Sequence, residues 1–300
     1  MLQLMHSSMR MRVLVSLSIG IGSGLYCWFI LAHLHLGAAD FGSAIRAAAA
    51  ILAHKNPYAA KLQLYPLPAA LFGFPFVAMR PEIAAGIFYG ISSGLLAFTL
   101  VRLGYTRLLI FLAYPYWAGL LTAQWSPLLM ASASLPWLMP VIMAKPQIGL
   151  PIAITHMNWR GILCCGAVLL LCVLIMPSWP SQWKAHMQGY QFFIPILVLP
   201  GPLLALAMFR YKDRDAWLLF LAAIMPQRWF YDAFILWLIP KSRREIVWTA
   251  SLSWGAGILR WYYMPQNITQ VGRCIIFFFY LPMLIVILTR NPKSLRVFAS

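Results

Sequence analysis

From Val13 onward the chain is a succession of apolar runs separated by short polar joints, and that pattern limits its possible folds more than any other feature. The runs cover about 13–35, 66–79, 83–101, 107–122, 126–144, 147–157, 161–177, 193–209, 216–226, 231–240, 246–262 and 273–289. Of the 300 residues, 62% are hydrophobic and 10% charged; a soluble domain has about 45–50% and about 25%. A core of this size cannot bury the excess apolar surface, so lipid must cover it. A spanning helix needs roughly 20 apolar residues. An all-α polytopic membrane protein of about 10–12 transmembrane helices is therefore expected. Residues 1–300 read as one membrane domain, with 1–192 the candidate catalytic module and 193–300 a C-terminal helical module. Runs 66–79, 147–157, 216–226 and 231–240 are short for full spans, and some are expected to be re-entrant or half helices buried by their neighbours.

Charge sets the expected orientation. Lys and Arg total 23 against 6 Asp and Glu, a net charge of +17. In a soluble chain this would suggest nucleic acid. Here the cations cluster between apolar runs, as the positive-inside rule produces, so no nucleic-acid partner is expected. Arg10/Arg12, Arg210/Lys212/Arg214, Lys241/Arg243/Arg244 and Arg290/Lys293/Arg296 place both termini and the loops 210–214 and 241–245 in the cytoplasm. Loops 36–65 and 178–192 then face outward, across a bacterial inner (plasma) membrane. Arg102 and Arg107 fall outside in a twelve-span count, against the rule. A cleaved signal peptide ending near Gly37-Ala38-Ala39 is the alternative for the first run, but that run exceeds the usual 7–15-residue apolar stretch.

The five cysteines all lie in apolar runs, with neither disulfide nor zinc spacing. The chain has no GxxxxGK, HExxH or GxGxxG. No acidic pair is spaced for a divalent ion, so neither metal nor cofactor is expected.

Two outer loops hold the informative residues. In 36–65, Phe41, Ile45, Ala48 and Leu52 recur at helical spacing, predicting an interfacial helix over 41–54 that ends at Asn56-Pro57-Tyr58. Ser43, Arg46 and His54 fall elsewhere on its surface. In 178–192, Trp179, Trp183, Met187 and Tyr190 repeat at helical spacing, the pattern of a second interfacial helix with aromatic anchors.

In order along the chain stand Asp40-Phe41, Asn56-Pro57-Tyr58, Tyr65-Pro66-Leu67-Pro68, Gln124, Lys145-Pro146-Gln147 and Pro226-Gln227-Arg228-Trp229-Phe230-Tyr231-Asp232. This ordered set, over roughly 10–240, resembles the family-87 glycosyltransferases of the GT-C superfamily. The sequence departs from that pattern in Asn56, in Tyr-Pro-Leu-Pro for Tyr-Pro-Pro, and in Ala123-Gln124 for Gly-Gln. The resemblance implies a GT-C-like bundle and an inverting transfer of a hexose, mannose foremost, from a polyprenyl-phosphate donor to a lipid or glycan acceptor.

Such a transfer passes through an oxocarbenium-like centre. It needs a carboxylate to take the acceptor's proton and cations at the departing phosphate. Asp40, the first outer loop's only acid, fits the base; its alternative is a helix N-cap. Lys145 and Arg228 lead for the phosphate, followed by Lys55 and His54. Snorkelling is the alternative for Lys145, and an ion pair with Asp232 for Arg228. Tyr58, Tyr65, Gln124, Gln147 and Asp232 are the sugar or acceptor candidates, with Lys184 and His186 weaker ones. A transporter or flippase for a lipid-linked or small polar substrate is the competing reading, and a cavity joining Asp40, Lys145 and Arg228 would favour the enzyme.

Overall fold

The computed structural model describes residues 9–59, 64–263 and 267–290; Lys293 and Arg296 lie outside them. The described residues form α1 (Met9–His33), α2 (Gly42–Leu52), α3 (Pro68–Gly73), α4 (Pro81–Val101), α5 (Tyr114–Leu120), α6 (Ser126–Ser132) and α7 (Pro146–His156). After these come α8 (Trp159–Ile175), α9 (Trp179–His186), α10 (Arg214–Ile224), α11 (Arg243–Tyr263), α12 (Ile268–Ile275) and α13 (Leu281–Thr289). Long 3-10 segments occupy Tyr105–Leu112, Pro136–Met143, Gly201–Arg210 and Phe230–Leu238, and a π turn joins α12 to α13. Among the described residues the one β contact is an isolated bridge between Phe193 and Gln227.

Within this all-helical fold, α1, α4 and the continuous 268–289 helix are long and apolar enough to cross a membrane. The pair α8–α9, bent by 89°, makes a fourth if it counts as one span. The remaining apolar runs are broken or short, and proline accounts for several breaks. Pro115 and Pro136 open new segments within runs read above as single spans. Proline lacks an N–H and clashes with the preceding turn. The expected row of full-length spans is to that extent corrected.

Contacts show how the pieces run. Asp40, Gln124, Lys145 and Asp232 gather at one end of the body. Asp215, Lys241, Glu245 and Arg290 gather at the other, where Arg290 Nη1 lies 2.6 Å from Asp215 and Lys241 Nζ 3.0 Å from it. Segments α10 and 230–238 join the two ends, so these are opposite. Arg107 bonds the Pro240 carbonyl at the basic end, while the Thr122 carbonyl accepts from Asp40 N–H at the other. Residues 105–122 therefore pass from end to end in two pieces. The passes, alternating in direction, are α1, α4, 105–122, α7, α8, 201–210, α10, 230–238, α11 and 268–289. A 3-10 segment rises about 2.0 Å per residue against about 1.5 Å in an α-helix, so short segments still cover depth.

Two apolar runs do not pass. Both ends of 124–145 lie together, with Gln124 and Lys145 side chains 2.8 Å apart. Segment 126–144, expected as a span, enters and returns; α6 is buried throughout, so neighbouring protein covers its backbone. Run 66–79 likewise starts at the Asp40 end and finishes beside Gly37, which faces Pro81. Arg12 lies over Phe98 near the end of α4, which sets Arg10, Arg12, Arg102 and Arg107 at the same end as Lys241 and Arg290. The twelve-span count placed Arg102 and Arg107 at the opposite end because it gave run 66–79 an end-to-end passage.

Helix α2 forms where expected but ends at Leu52, and it buries a different stripe. Phe41, Ala44, Ala47 and Ala48 are buried and Leu52 is 58% exposed. Ser43, expected on the surface, is buried at 7%. Alanine allows the backbones of α2 and α3 to meet at Gly73, which has no room for a Cβ against Ala44.

Glycines also set the crossing of α1 and α4. A Cβ at Gly90 would lie 2.8 Å from the Gly20 carbonyl, whereas at Gly22 it would meet nothing within 4 Å. Close approach through small residues is the usual basis of helix association in lipid. Gly90→Leu is expected to lower thermal stability in detergent by at least about 1–3 kcal/mol, the usual cost of overpacking. Gly22→Leu should leave it unchanged; equal melting of the two variants would contradict this account of the crossing.

Candidate functional site

Asp40 sits in a single 3-10 turn, Ala39–Phe41, between α1 and α2. Gln124 follows the turn that closes α5, and Asp40 N–H ties the two turns together at 3.2 Å from the Thr122 carbonyl. The residues just before them, Ala39 (φ 45) and Ala123 (φ 48), are both left-handed without being glycine. Such conformations cost on the order of 1–3 kcal/mol and concentrate at functional sites. Here they aim the next side chain into the body.

Asp40 Oδ2 accepts from Tyr65 Oη (3.4 Å), Tyr231 Oη (3.3 Å) and Gln124 Nε2. Gln124 Oε1 accepts from Lys145 Nζ, which also lies 2.7 Å from Asp232 Oδ1. Asp232 Oδ2 accepts the backbone N–H of Arg228 at 3.1 Å and of Trp229 at 3.4 Å, capping the 230–238 segment. The Lys145 ammonium stands 4.8 Å from the centre of the Tyr231 ring. An unbroken polar chain thus links Asp40 to Asp232 through Gln124 and Lys145. The Asp40 carboxylate also lines the cavity at this end. Burial first, and then the Asp40 carboxylate, push the Tyr65 phenol well above its ordinary pKa, so it remains a donor.

This geometry revises the sequence expectations. Asp40 makes no side-chain capping bond to the helix that follows, so the N-cap alternative fails. Lys145 does not snorkel: its side chain is 5% exposed and paired with Asp232. Asp232 serves as that partner and as a cap, and it bonds the Arg228 backbone rather than the guanidinium. The guanidinium instead stacks on Tyr190 at 4.6 Å and bonds its hydroxyl at 3.3 Å. Tyr58 is buried against Leu67, Cys172 and Trp179 with its hydroxyl on the Tyr65 carbonyl, so it joins the loops rather than the polar chain. His54 and Lys55 are exposed at the end of α2 and are not brought to the site. His186 packs beside Tyr58. Tyr231, named in the Pro226–Asp232 motif but given no role of its own there, touches both Asp40 and Lys145.

Two cavities adjoin here. A chamber of about 50 Å³ is lined by Asp40, Ser43, Tyr65, Lys145, Gln147 and Arg228, among others. Beside it an apolar groove of about 450 Å³ runs along Pro146, Trp179, Pro180, Phe192 and Pro226, with Lys184 on its wall. Among the described residues no group of three or more His, Cys, Asp or Glu is placed to hold a metal ion. No family model, curated protein or solved structure matches this chain.

Proposed function

We propose that the protein is an integral membrane glycosyltransferase of GT-C type that moves a hexose, mannose foremost, from a polyprenyl phosphate to a lipid or glycan acceptor. One observation carries the reading: Asp40, Lys145 and Arg228, far apart in sequence, line one chamber beside an apolar groove. In the mechanism the Asp40 carboxylate takes the proton of the acceptor hydroxyl as its oxygen attacks the anomeric carbon. The bond from that carbon to the phosphate oxygen breaks, and the phosphate leaves with the electron pair. Arg228, whose guanidinium meets Tyr190 and no carboxylate among the described residues, receives the departing charge. Lys145 holds Gln124 and, through it, Asp40. A transporter reading has no comparable convergence to support it.

In this proposal each end-to-end pass is a membrane crossing. The basic end is cytoplasmic, the Asp40 end faces outward, and the membrane is the bacterial inner membrane. Cysteine placed at Lys184 should react with an impermeant reagent on intact cells, and cysteine at Lys212 only after permeabilisation. The reverse pattern would refute the orientation.

The activity is tested by reconstituting the purified chain with radiolabelled polyprenyl-phosphate mannose and a membrane lipid extract. Label should transfer to an acceptor with release of polyprenyl phosphate; absence of release with any hexose donor would reject the enzyme. Arg228→Gln should raise the donor KM about 10–100-fold, because hydrogen bonds to charged groups contribute about 1.5–3 kcal/mol. Unchanged donor kinetics would put the phosphate elsewhere.

A further inference from the structure

The chamber and the groove share walls, to which α9 contributes Trp183 and the chain just after it contributes Met187 and Tyr190. Trp183, Met187, Tyr190, Gln147 and Arg228 border both cavities. The chamber's volume of about 50 Å³ accommodates a few waters, whereas ligand pockets begin near about 300 Å³. Nothing the size of a sugar reaches Asp40 while α9 stays where it is.

We propose that α9 is a lid whose outward swing joins the two cavities, admitting an amphiphile with its head at Asp40 and its chain in the groove. Trp183 is the gate residue. The lid rests on the glycosyltransferase reading for its substrate, but its movement does not.

Both ends of α9 are built to turn. It leaves α8 at an 89° bend over Pro177 and Ser178, and it ends near Gly189, which is left-handed (φ 82) with open space around it. Few bonds hold its inner face. Trp183 Nε1 donates to the Leu64 carbonyl at 3.1 Å, and Asn56 Nδ2 donates to Gln182 Oε1 at 2.8 Å on the exposed side. Tyr58 and His186 rings meet at 5.6 Å. The shut position also leaves the Trp179 indole N–H buried without an acceptor among the described residues. An unsatisfied buried donor disfavours the state that contains it, which offsets part of what the Trp183 and Gln182 bonds contribute to closure.

The test uses the full chain with cysteines at both Asn56 and Gln182, joined by a short reducible thiosulfonate cross-linker. Cross-linking should cut hexose transfer at least 10-fold, and reductant should restore it, while either single cysteine variant behaves as the parent. Equal transfer in the cross-linked and reduced forms would overturn the lid. Hydrogen exchange on the parent chain supplies a readout that needs no activity. Amides of α9 should exchange at least 10-fold faster than those of α8, and the cross-link should slow them. Exchange in α9 as slow as in α8 and unaffected by the cross-link would also overturn it. A chain that never transfers hexose but shows fast, cross-link-sensitive exchange would retain the lid and lose the glycosyltransferase reading.

Discussion

Asp40→Asn is expected to lower turnover by about 100-fold or more while leaving insertion and folding intact. General-base catalysis contributes roughly that much. An amide occupies the same space and still offers an oxygen to Tyr65, Tyr231 and Gln124, but it cannot take a proton from an acceptor hydroxyl. A loss through disturbed helix capping is excluded beforehand, because Asp40 caps nothing. The variant's level in the membrane is measured first, then its release of polyprenyl phosphate at saturating donor. Donor affinity should be close to the parent's, since the change does not touch Arg228. Near-normal turnover in a correctly inserted variant would remove Asp40 from the chemistry.

Lys145→Met should be the most damaging substitution for stability. Lys145 and Asp232 are buried, with side chains 5% and 2% exposed, and their charged atoms lie 2.7 Å apart. Removing one partner leaves a charge in an environment that cannot solvate it, at a cost of about 3–5 kcal/mol. That is a large share of the stability of an ordinary domain. The double variant Lys145→Met/Asp232→Asn removes both charges and should recover most of the loss in a detergent melting assay. Asparagine retains an oxygen for the Arg228 and Trp229 N–H groups. Turnover should remain low, because Gln124 no longer receives the Lys145 bond that orients it toward Asp40. A double variant as unstable as the single one would contradict the ion-pair account. One with parental turnover would show that the polar chain does not act through Gln124.

Much of the site was legible in the order of short polar motifs. Asp40, Tyr65, Gln124, Lys145, Gln147, Arg228 and Asp232 were named from it, and the structure gathers them at one end of the body. Their roles were less legible. A lysine beside an apolar run reads the same whether it snorkels, binds phosphate or pairs with a distant aspartate, and only the 2.7 Å contact to Asp232 decides. His54 and Lys55 illustrate the converse: two cations next to a motif that the end of α2 leaves in solvent. Trp183 and Met187 were visible as one face of a helix, but a helical stripe does not reveal that it separates two cavities.

The fold divides along the same line. Composition alone points the chain toward lipid, because its apolar residues exceed the share a soluble core takes up. Proline positions locally determine where segments break, since a missing N–H acts within one turn whatever surrounds it. Direction is another matter. Hydropathy is a sum over neighbours in sequence, and it has the same value for a run that crosses and a run that turns back. Whether 126–144 spans or returns was decided by Gln124 meeting Lys145. The end at which Arg107 lies was decided by its bond to Pro240, 133 positions away in the chain. Both are contacts between segments far apart in sequence, and such contacts exist only once the helices have packed.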